Sequence, residues 1–412
     1  MPAELLIRPG HNDHLVLQDL LAPGGTAVLL PNRPLVSRLV LDAHLALRRP
    51  DLPEAAAAAG TGVLVDPLTP LWQGELRPED PWSKLSFGEA RVLSPSDFPH
   101  ARRDAVVASV VDFQLAHGAT AIVPPYTYAQ SPLDPWFETT LDFIRRTARY
   151  MRNEGIHLPL VPVFCAQLKG FGRERTWRLG ADRFLHVALD VGPQLIALCL
   201  SPTGGPRDSY DKILGLFLTA RRFKSTGCRV VAWRQGVYGP ALVAAGLDGY
   251  ETGIGTREQS NVAGMISSRK PKPAGKKRKG SGGLPGVYLE PLGRSVPSPI
   301  AETLLGSRAM RPKVMCDDER CCPDGAGSTL DHRAPHAVRT RARQLAELDA
   351  QPAPWRLHQI VKSARSAAAL AAQANRVLAE AGFPDRLRAE AMQSLAQVAE
   401  FLGQSDTTSR AA

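Results

Sequence analysis

Short apolar runs alternate with longer helical patterns along most of this 412-residue chain. Several runs are apolar throughout, which is typical of parallel strands buried on both faces. The pattern predicts strands at 26–30, 62–65, 120–123, 158–163, 194–200, 229–233, 249–252 and 287–290. It predicts intervening helices at 34–47, 101–117, 135–152, 176–189, 208–224, 239–245 and 258–266. Eight strands with interleaved helices favour a (β/α)8 TIM-type barrel, whose typical length is about 250 residues.

An open, doubly wound sheet is the alternative, because alternation of strands and helices does not show whether a sheet closes. No GxGxxG motif follows the first predicted strand, which disfavours a dinucleotide-binding fold. We assign the barrel to 1–310, a zinc-binding subdomain to 311–350, C-terminal helices to 351–403 and a disordered tail to 404–412. Within the barrel sequence, a flexible basic insertion is expected at 267–285.

The positive charge is concentrated in that insertion. The formal net charge is +10, and seven Lys and Arg residues lie between 269 and 279. A basic segment that also contains Gly, Pro and Ser is solvated and flexible. It either contacts the phosphate backbone of nucleic acid or only solubilises the protein. If nucleic acid is the substrate, Lys276, Lys277 and Arg278 are the expected binding residues.

The composition also disfavours several classes of protein. A hydrophobic fraction of 44% is ordinary for a globular chain. The chain has neither an apolar run of about 18 residues nor a secretory signal, so we expect a cytoplasmic protein without membrane spans. The absence of GxSxG, HExxH and GxxxxGK[ST] motifs disfavours serine hydrolases, HExxH metalloproteases and P-loop proteins. Cys165, Cys199 and Cys228 lie in or beside apolar runs and are predicted to be buried, unreactive thiols.

The other three cysteines form a cluster. Cys316, Cys321 and Cys322 fall within seven residues, and His332 and His336 follow shortly after them. Three thiolates and one imidazole make a tetrahedral Cys3His set, which is typical of structural zinc sites. The alternative is a redox-active vicinal dithiol formed by the adjacent pair. We expect zinc, bound entirely by protein ligands.

Three carboxylates are candidates for chemistry. Asp66 directly follows an apolar strand run, and Asp248 and Glu251 flank the start of the predicted seventh strand. Catalytic residues of barrels lie at the carboxyl ends of the strands, where two carboxylates can act as nucleophile and general acid. Each carboxylate could instead cap a turn or lie on the solvated rim. Tyr126 and Tyr128 follow the predicted third strand and either stack on a base or pack at the rim.

The order of these features resembles the tRNA-guanine transglycosylases and their relatives that insert 7-deazaguanine bases into DNA. The likeness lies in VLVDPLTPLW, in VAAGLDGYETG, and in a Cys-rich loop followed by a His that opens a helix. It implies a barrel with a structural zinc, acting on DNA or tRNA as a homodimer or with partner subunits. The Gly-Gly-Phe-Gln that follows the family's acid/base Asp is replaced here by PLTPLW.

The resemblance also implies roles for single residues. Asp248 matches the nucleophile, Asp66 the acid/base residue and Glu251 a second acidic, substrate-binding position. The matching zinc ligands are Cys316, Cys321, Cys322 and His336, the last preferred over His332. The implied reaction exchanges guanine for a 7-deazaguanine base through a covalent Asp–glycosyl intermediate. The alternatives are a nucleic-acid-binding barrel without turnover and an unrelated barrel glycoside hydrolase that uses the same carboxylates.

Overall fold

The computed structural model describes residues 2–22, 34–169, 175–269, 286–384 and 386–411. The predicted strand at 26–30 lies outside these ranges. None of the helices in the described ranges combines the length and hydrophobicity that a membrane crossing demands.

Seven parallel strands form the central sheet, in the spatial order β3-β2-β1-β7-β6-β5-β4. They are β1 (Glu4–Arg8), β2 (Arg38–Asp42), β3 (Gly62–Asp66), β4 (Val163–Gln167), β5 (Ile196–Ser201), β6 (Val230–Ala232) and β7 (Gly249–Gly253). Their side chains are almost entirely buried, as expected for a parallel sheet that is covered on both faces.

The segment at 120–123 connects the two edges of this sheet. Parallel bridges join Leu64 of β3 to Ala121, and Ile122 to Leu160 just before β4. The amide of Ile122 donates to the carbonyl of Pro159 at 2.8 Å, and the amide of Val161 donates to Ile122 at 2.8 Å. The sheet is therefore curled, and its architecture is that of a TIM-like barrel, as the alternating pattern predicts.

Helices surround the barrel. They are α1 (His14–Leu21), α2 (Ala43–Arg48), α3 (Asp51–Ala58), α4 (His100–Ala116), α5 (Pro135–Asn153), α6 (Arg175–Asp190), α7 (Tyr210–Lys224), α8 (Gly239–Ala244) and α9 (Val262–Ser268). After the barrel follow β8 (Val287–Leu289), β9 (Arg294–Val296), α10 (Ser298–Gly306), α11 (Arg311–Val314), α12 (Ala326–Asp331), α13 (Arg333–Ala350), α14 (Ala353–Glu380) and α15 (Glu390–Ala411). Short 3-10 helices lie at Thr69–Gln73, Pro95–Asp97 and Glu290–Leu292.

Three predicted elements differ from the structure. The strand expected at 158–163 shares only Val163 with β4. The helix expected at 34–47 contains strand β2, because a short, wholly apolar run cannot be distinguished from a buried helix by its period. The strand expected at 287–290 does not belong to the barrel. As β8 it pairs antiparallel with β9, with Val287 opposite Val296. The barrel also contains strand β1 near the start of the chain, which the alternating pattern does not predict.

The C-terminal helices share the hydrophobic core of the barrel. Leu345 of α13, Leu357 of α14 and Val398 of α15 belong to the same buried cluster as the strand residues. A second cluster lies between α10, α14 and β8, and Leu304 and Leu378 are fully buried in it. The proposed domain boundaries stay a prediction, but the C-terminal helices are packed on the barrel.

Candidate active site at the barrel mouth and candidate metal centre

A buried arginine organises the carboxyl ends of the first strands. Arg8 ends β1 and is fully buried. Its Nε and Nη2 atoms donate to the two carboxylate oxygens of Glu251 on β7, at 2.5 and 2.9 Å. Nη2 lies 2.8 Å from Asp66 Oδ2, and Nη1 binds Asp42. Asp42 and Asp66 end β2 and β3, so parallel pairing brings all these groups to one end of the barrel.

Asp66 is held by further partners. Its Oδ1 accepts a hydrogen bond from the amide of Leu68 at 2.8 Å, which caps the turn after β3. The hydroxyl of Tyr126 donates to both carboxylate oxygens, at 2.9 and 3.0 Å. Tyr126 and Tyr128 are 2% and 3% exposed, so their rings pack inside the barrel end instead of presenting a face to a base. The Tyr128 hydroxyl donates to the carbonyl of Ser201 at 3.3 Å.

Two strained arginines extend this charged cluster toward solvent. Arg234 follows β6 and Arg257 follows β7, and each has a φ of 59°. Such left-handed backbone costs on the order of 1–3 kcal/mol outside glycine and occurs often at functional sites. Arg257 Nη1 donates to Asp42 Oδ2 at 2.8 Å. Arg234 Nη2 is buried without a hydrogen-bond partner and lies 3.5 Å from Asp66 Oδ2.

An open cavity of about 360 Å³ lies beside these arginines. Its volume suits a small ligand, since ligand pockets span about 300–1,000 Å³. Arg269, which pairs with Asp80 at 3.1 Å, adds a third guanidinium to the lining. The polar lining residues are Asp42, Arg234, Arg257, Gln259, Asn261, Ser268 and Arg269. Among the described lining residues, three arginines accompany one carboxylate, Asp42, while Asp66 and Asp80 lie 3.5 and 3.1 Å from Arg234 and Arg269.

Burial alone would raise the pKa of Asp42, but the guanidinium groups of Arg257 and Arg8 reverse that effect. They hold the pKa of this carboxyl far below its ordinary value. The pKa of Arg8 is raised well above its ordinary value, because the three surrounding carboxylates outweigh the cost of burying its charge. Asp42 and Arg8 are thus both charged at neutral pH.

We expect this cluster to make the protein acid-labile. A carboxyl whose pKa is lower in the folded than in the unfolded protein stabilises the fold above its unfolded pKa, and that stabilisation is lost as the pH falls. The unfolded pKa of Asp is about 3.9, so the urea midpoint should fall progressively as the pH is lowered from about 5. In Asp42→Asn the midpoint should be lower at pH 7 and should depend less on pH. An unchanged pH dependence in this variant would contradict the prediction.

Two buried thiols lie inside the same barrel. Cys165 on β4 and Cys199 on β5 are register partners, while the neighbouring Phe164 packs outward against α6 and α7. Burial and the contact with Cys199 raise the pKa of the Cys165 thiol. The hydrogen bond with Cys165 is the main cause that lowers the pKa of Cys199, and nearby Arg234 contributes. Both thiols are buried as predicted, whereas Cys228 is half-buried.

The structure does not bring Asp248 and Asp66 together. Asp248 directly precedes β7, and its carboxylate accepts hydrogen bonds from Lys224 Nζ at 2.6 and 2.8 Å. It also accepts from the amide of Val230, the first residue of β6, at 2.7 Å. Asp248 therefore lies at the amino ends of the strands, whereas Asp66 lies at the carboxyl ends. The two carboxylates cannot act on opposite sides of one sugar–base bond.

Glu251 is also placed differently from the expectation. It is fully buried and bound by Arg8, so it is no substrate-binding rim residue in this structure. Lys276, Lys277 and Arg278 lie outside the described residues. Contact of that segment with nucleic acid, and formation of a homodimer, stay predictions.

The four expected metal ligands do come together. The ligand atoms of Cys316, Cys321, Cys322 and His336 all lie within 4.8 Å of one another, and all four residues are buried. His336 Nδ1 lies 3.4 Å from the sulfur atoms of both Cys321 and Cys322. Its Nε2 donates to the carbonyl of Tyr288 on β8 at 2.9 Å. The imidazole is therefore oriented by a backbone bond, with the other ring nitrogen left for a metal.

No family model and no curated protein matches the chain. Among solved structures, the carboxyl transferase domain of Rhizobium etli pyruvate carboxylase with oxalate is 13% identical, with 98% of this chain and 61% of that chain covered and a TM-score of 0.38. A phosphonomutase from Burkholderia cenocepacia J2315 is 12% identical, with 61% and 88% covered and a TM-score of 0.33. A 2,3-dimethylmalate lyase of the PEP mutase/isocitrate lyase superfamily is 12% identical, with 56% and 67% covered and a TM-score of 0.27. Structural similarity at these low sequence identities and TM-scores supports no conclusion about the reaction or the substrate.

The expected membership of the tRNA-guanine transglycosylase family is wrong, and so is the base exchange that it implied. The neighbours are named as carboxyl transferase, mutase and lyase instead. The barrel supplies a physical reason, because the two carboxylates expected to share the reaction lie at opposite ends. The glycoside hydrolase alternative fails on the same geometry.

Several central residues of this site were missed from the sequence. They are Arg8, Asp42, Arg234 and Arg257, and each ends a strand or lies in the loop that follows one. The available signal was a charged residue directly after an apolar run, as in LLIR and LVLD. The same signal identified Asp66. The alternating pattern does not include β1 and β2, so it gives no reason to place Arg8 and Asp42 at strand ends, whereas Arg234 does follow the strand predicted at 229–233.

Proposed function

We propose that the protein is a TIM-like barrel enzyme that acts on a small anionic substrate bound at the carboxyl ends of its strands. The observation that carries this proposal is the cavity lined by the guanidinium-bearing residues Arg234, Arg257 and Arg269. Active sites of TIM barrels lie at this end of the fold, which supports catalysis there by analogy.

The chemistry of the lining favours a carboxylate or a phosphate. Guanidinium groups bind both in a bidentate manner, and such charge-assisted bonds are among the strongest that proteins form. Asp42 neutralises part of the positive charge and fixes Arg257 at 2.8 Å. The left-handed backbone at Arg234 and Arg257 costs free energy that ordinary loops avoid. Together these features support a preorganised anion site.

We also propose that the cluster of Cys316, Cys321, Cys322 and His336, which we call the Cys3His centre, binds one structural zinc ion. Three sulfur atoms and one imidazole nitrogen fill a tetrahedral shell without leaving a position for substrate. Burial of all four residues and the bond from His336 to Tyr288 support this role. Zinc would fix α13 and the preceding loop, and it would supply no chemistry to the substrate.

Arg234→Gln tests the anion site. The variant keeps a polar side chain and the same left-handed backbone requirement, but the side chain is shorter and uncharged. Charge-assisted hydrogen bonds contribute about 1.5–3 kcal/mol, so the Kd for inorganic phosphate or malonate should rise about 10- to 100-fold. Isothermal titration calorimetry on the full chain measures this change, and circular dichroism checks that the variant is folded.

The matched control is Arg222→Gln. Arg222 pairs with Asp182 on the outer helices and is 58% exposed. This variant should bind both anions as the wild type does. Binding of neither anion by the wild type, or equal binding by Arg234→Gln, would overturn the proposed function.

A further inference from the structure

The two loops that carry Arg234 and Arg257 are joined by a third arginine. Arg341 lies on α13 and is 1% exposed. Its Nη1 donates to the carbonyl of Gly236 at 2.9 Å, and its Nη2 donates to Glu258 Oε1 at 2.6 Å. Gly236 is two residues after Arg234, and Glu258 directly follows Arg257. One guanidinium group thus binds both loops.

The loops also contact each other at this point. The amide of Val237 donates to the carbonyl of Glu258 at 3.2 Å. A Cβ atom at Gly236 would lie 2.3 Å from Thr252 Oγ1 and 3.0 Å from Glu258 Cα, so the packing requires glycine there. The approach of the loops is therefore close, and the guanidinium of Arg341 bridges it.

The bridge is held in turn by neighbouring groups. The carboxylate of Glu258 accepts from Ser295 Oγ at 2.6 Å and from the Ser295 amide at 3.1 Å. The guanidinium of Arg341 lies 4.0 Å from the centre of the Tyr288 ring, a distance at which cation–π attraction is effective. Fixed partners on both sides leave Arg341 little freedom to move.

We propose that Arg341 is a positioning residue for the anion site. It holds the loops after β6 and β7 in the conformation that points Arg234 and Arg257 toward the ligand. A residue in left-handed backbone keeps that conformation only when surrounding contacts enforce it, and Arg341 supplies such a contact to each loop. The inference rests on the proposed anion site and identifies what preorganises it.

The test compares Arg341→Met with Arg343→Met. Methionine keeps much of the apolar stem against Tyr288 but removes both hydrogen bonds. Arg343 lies on the same helix and pairs with Glu290 and Asp317, on the side of the Cys3His centre. We expect the Kd for inorganic phosphate to rise about 10-fold in Arg341→Met. In Arg343→Met it should stay within about 2-fold of the wild type, even if that variant is less stable.

Two further readouts distinguish positioning from general destabilisation. Amide hydrogen exchange at 234–237 and 257–260 should accelerate in Arg341→Met and not in Arg343→Met. The loss of phosphate affinity caused by Arg341→Met should shrink in an Arg257→Gln background, because one of the groups that it positions is then absent.

The outcomes separate the two proposals. A folded Arg341→Met protein that binds phosphate like the wild type, with unchanged exchange in both loops, would overturn the positioning role alone. If the wild type binds no phosphate while exchange in the two loops accelerates in Arg341→Met, the loops are positioned by Arg341 but the anion site is wrong.

Discussion

Arg8→Met is expected to abolish stable folding of the barrel. The substitution removes the cation that binds Asp42, Asp66 and Glu251, all of which are at most 2% exposed. Breaking one buried ion pair typically costs about 3–5 kcal/mol, because the remaining charge is buried without a partner. Whole domains are stable by only about 5–15 kcal/mol. Soluble yield and urea unfolding followed by circular dichroism measure the effect.

Two further variants keep this prediction testable even if Arg8→Met gives no soluble protein. Arg8→Lys retains one positive charge, but an ammonium group lacks the planar set of donors that serves three carboxylates, so an intermediate loss of stability is expected. Arg8→Met combined with Glu251→Met should be more stable than Arg8→Met alone, since the bidentate carboxylate is removed as well.

The control for Arg8 is Arg365→Met. Arg365 pairs with Glu400 at 2.7 Å on the surface and is 60% exposed. Exposed pairs contribute about 0–1 kcal/mol, so its urea midpoint should be close to that of the wild type. If the urea midpoint of Arg8→Met also equals that of the wild type, the buried cluster does not stabilise the fold.

Purified protein is expected to contain about one zinc ion per chain, because the Cys3His centre offers one tetrahedral ligand set. Structural zinc binds small domains with about 10–16 kcal/mol of apparent free energy near neutral pH. Removal of the metal by a chelator should therefore unfold the region around Cys316–His336 and lower the thermal midpoint. Elemental analysis and differential scanning calorimetry measure the two effects.

Ligand variants make the zinc prediction specific. Cys322→Ser and His336→Ala should both lose the metal and much of the stability that it supplies. Cys228→Ser removes a half-buried thiol outside the centre and should retain zinc. Well-folded, metal-free protein whose stability does not change with chelator would contradict the proposed zinc site and favour a dithiol role.

Features formed by residues close together in the sequence were predictable, whereas features formed by residues from distant strands were not. The Cys3His centre could be found because three of its ligands lie within seven residues and the fourth follows shortly after them, in the first turn of α13. The charged cluster at the barrel mouth could not, because its members are residues 8, 42, 66 and 251, on four different strands. Their proximity depends on strand order, which the sequence pattern does not specify.

Asp248 shows the same difference at a single residue. The pattern predicts a strand at 249–252 and thus places Asp248 just before it, and β7 begins at the same residue, Gly249. The role of Asp248 as nucleophile was implied only by the family resemblance, and its partner Lys224 is evident only in the tertiary structure. The carboxylate therefore lies at the amino end of the barrel, bound by Lys224, and not at the mouth.

The sequence by itself determined the repeating strand–helix architecture, the helical C-terminal region and the residues of the Cys3His centre. Each of these follows from periodicity or from donor atoms close together in the chain. The tertiary structure alone decided which carboxylates meet, that Arg8 neutralises them, and that Arg234 and Arg257 face a shared cavity. Those contacts arise from parallel pairing and barrel curvature, which bring together residues separated by as many as 243 positions.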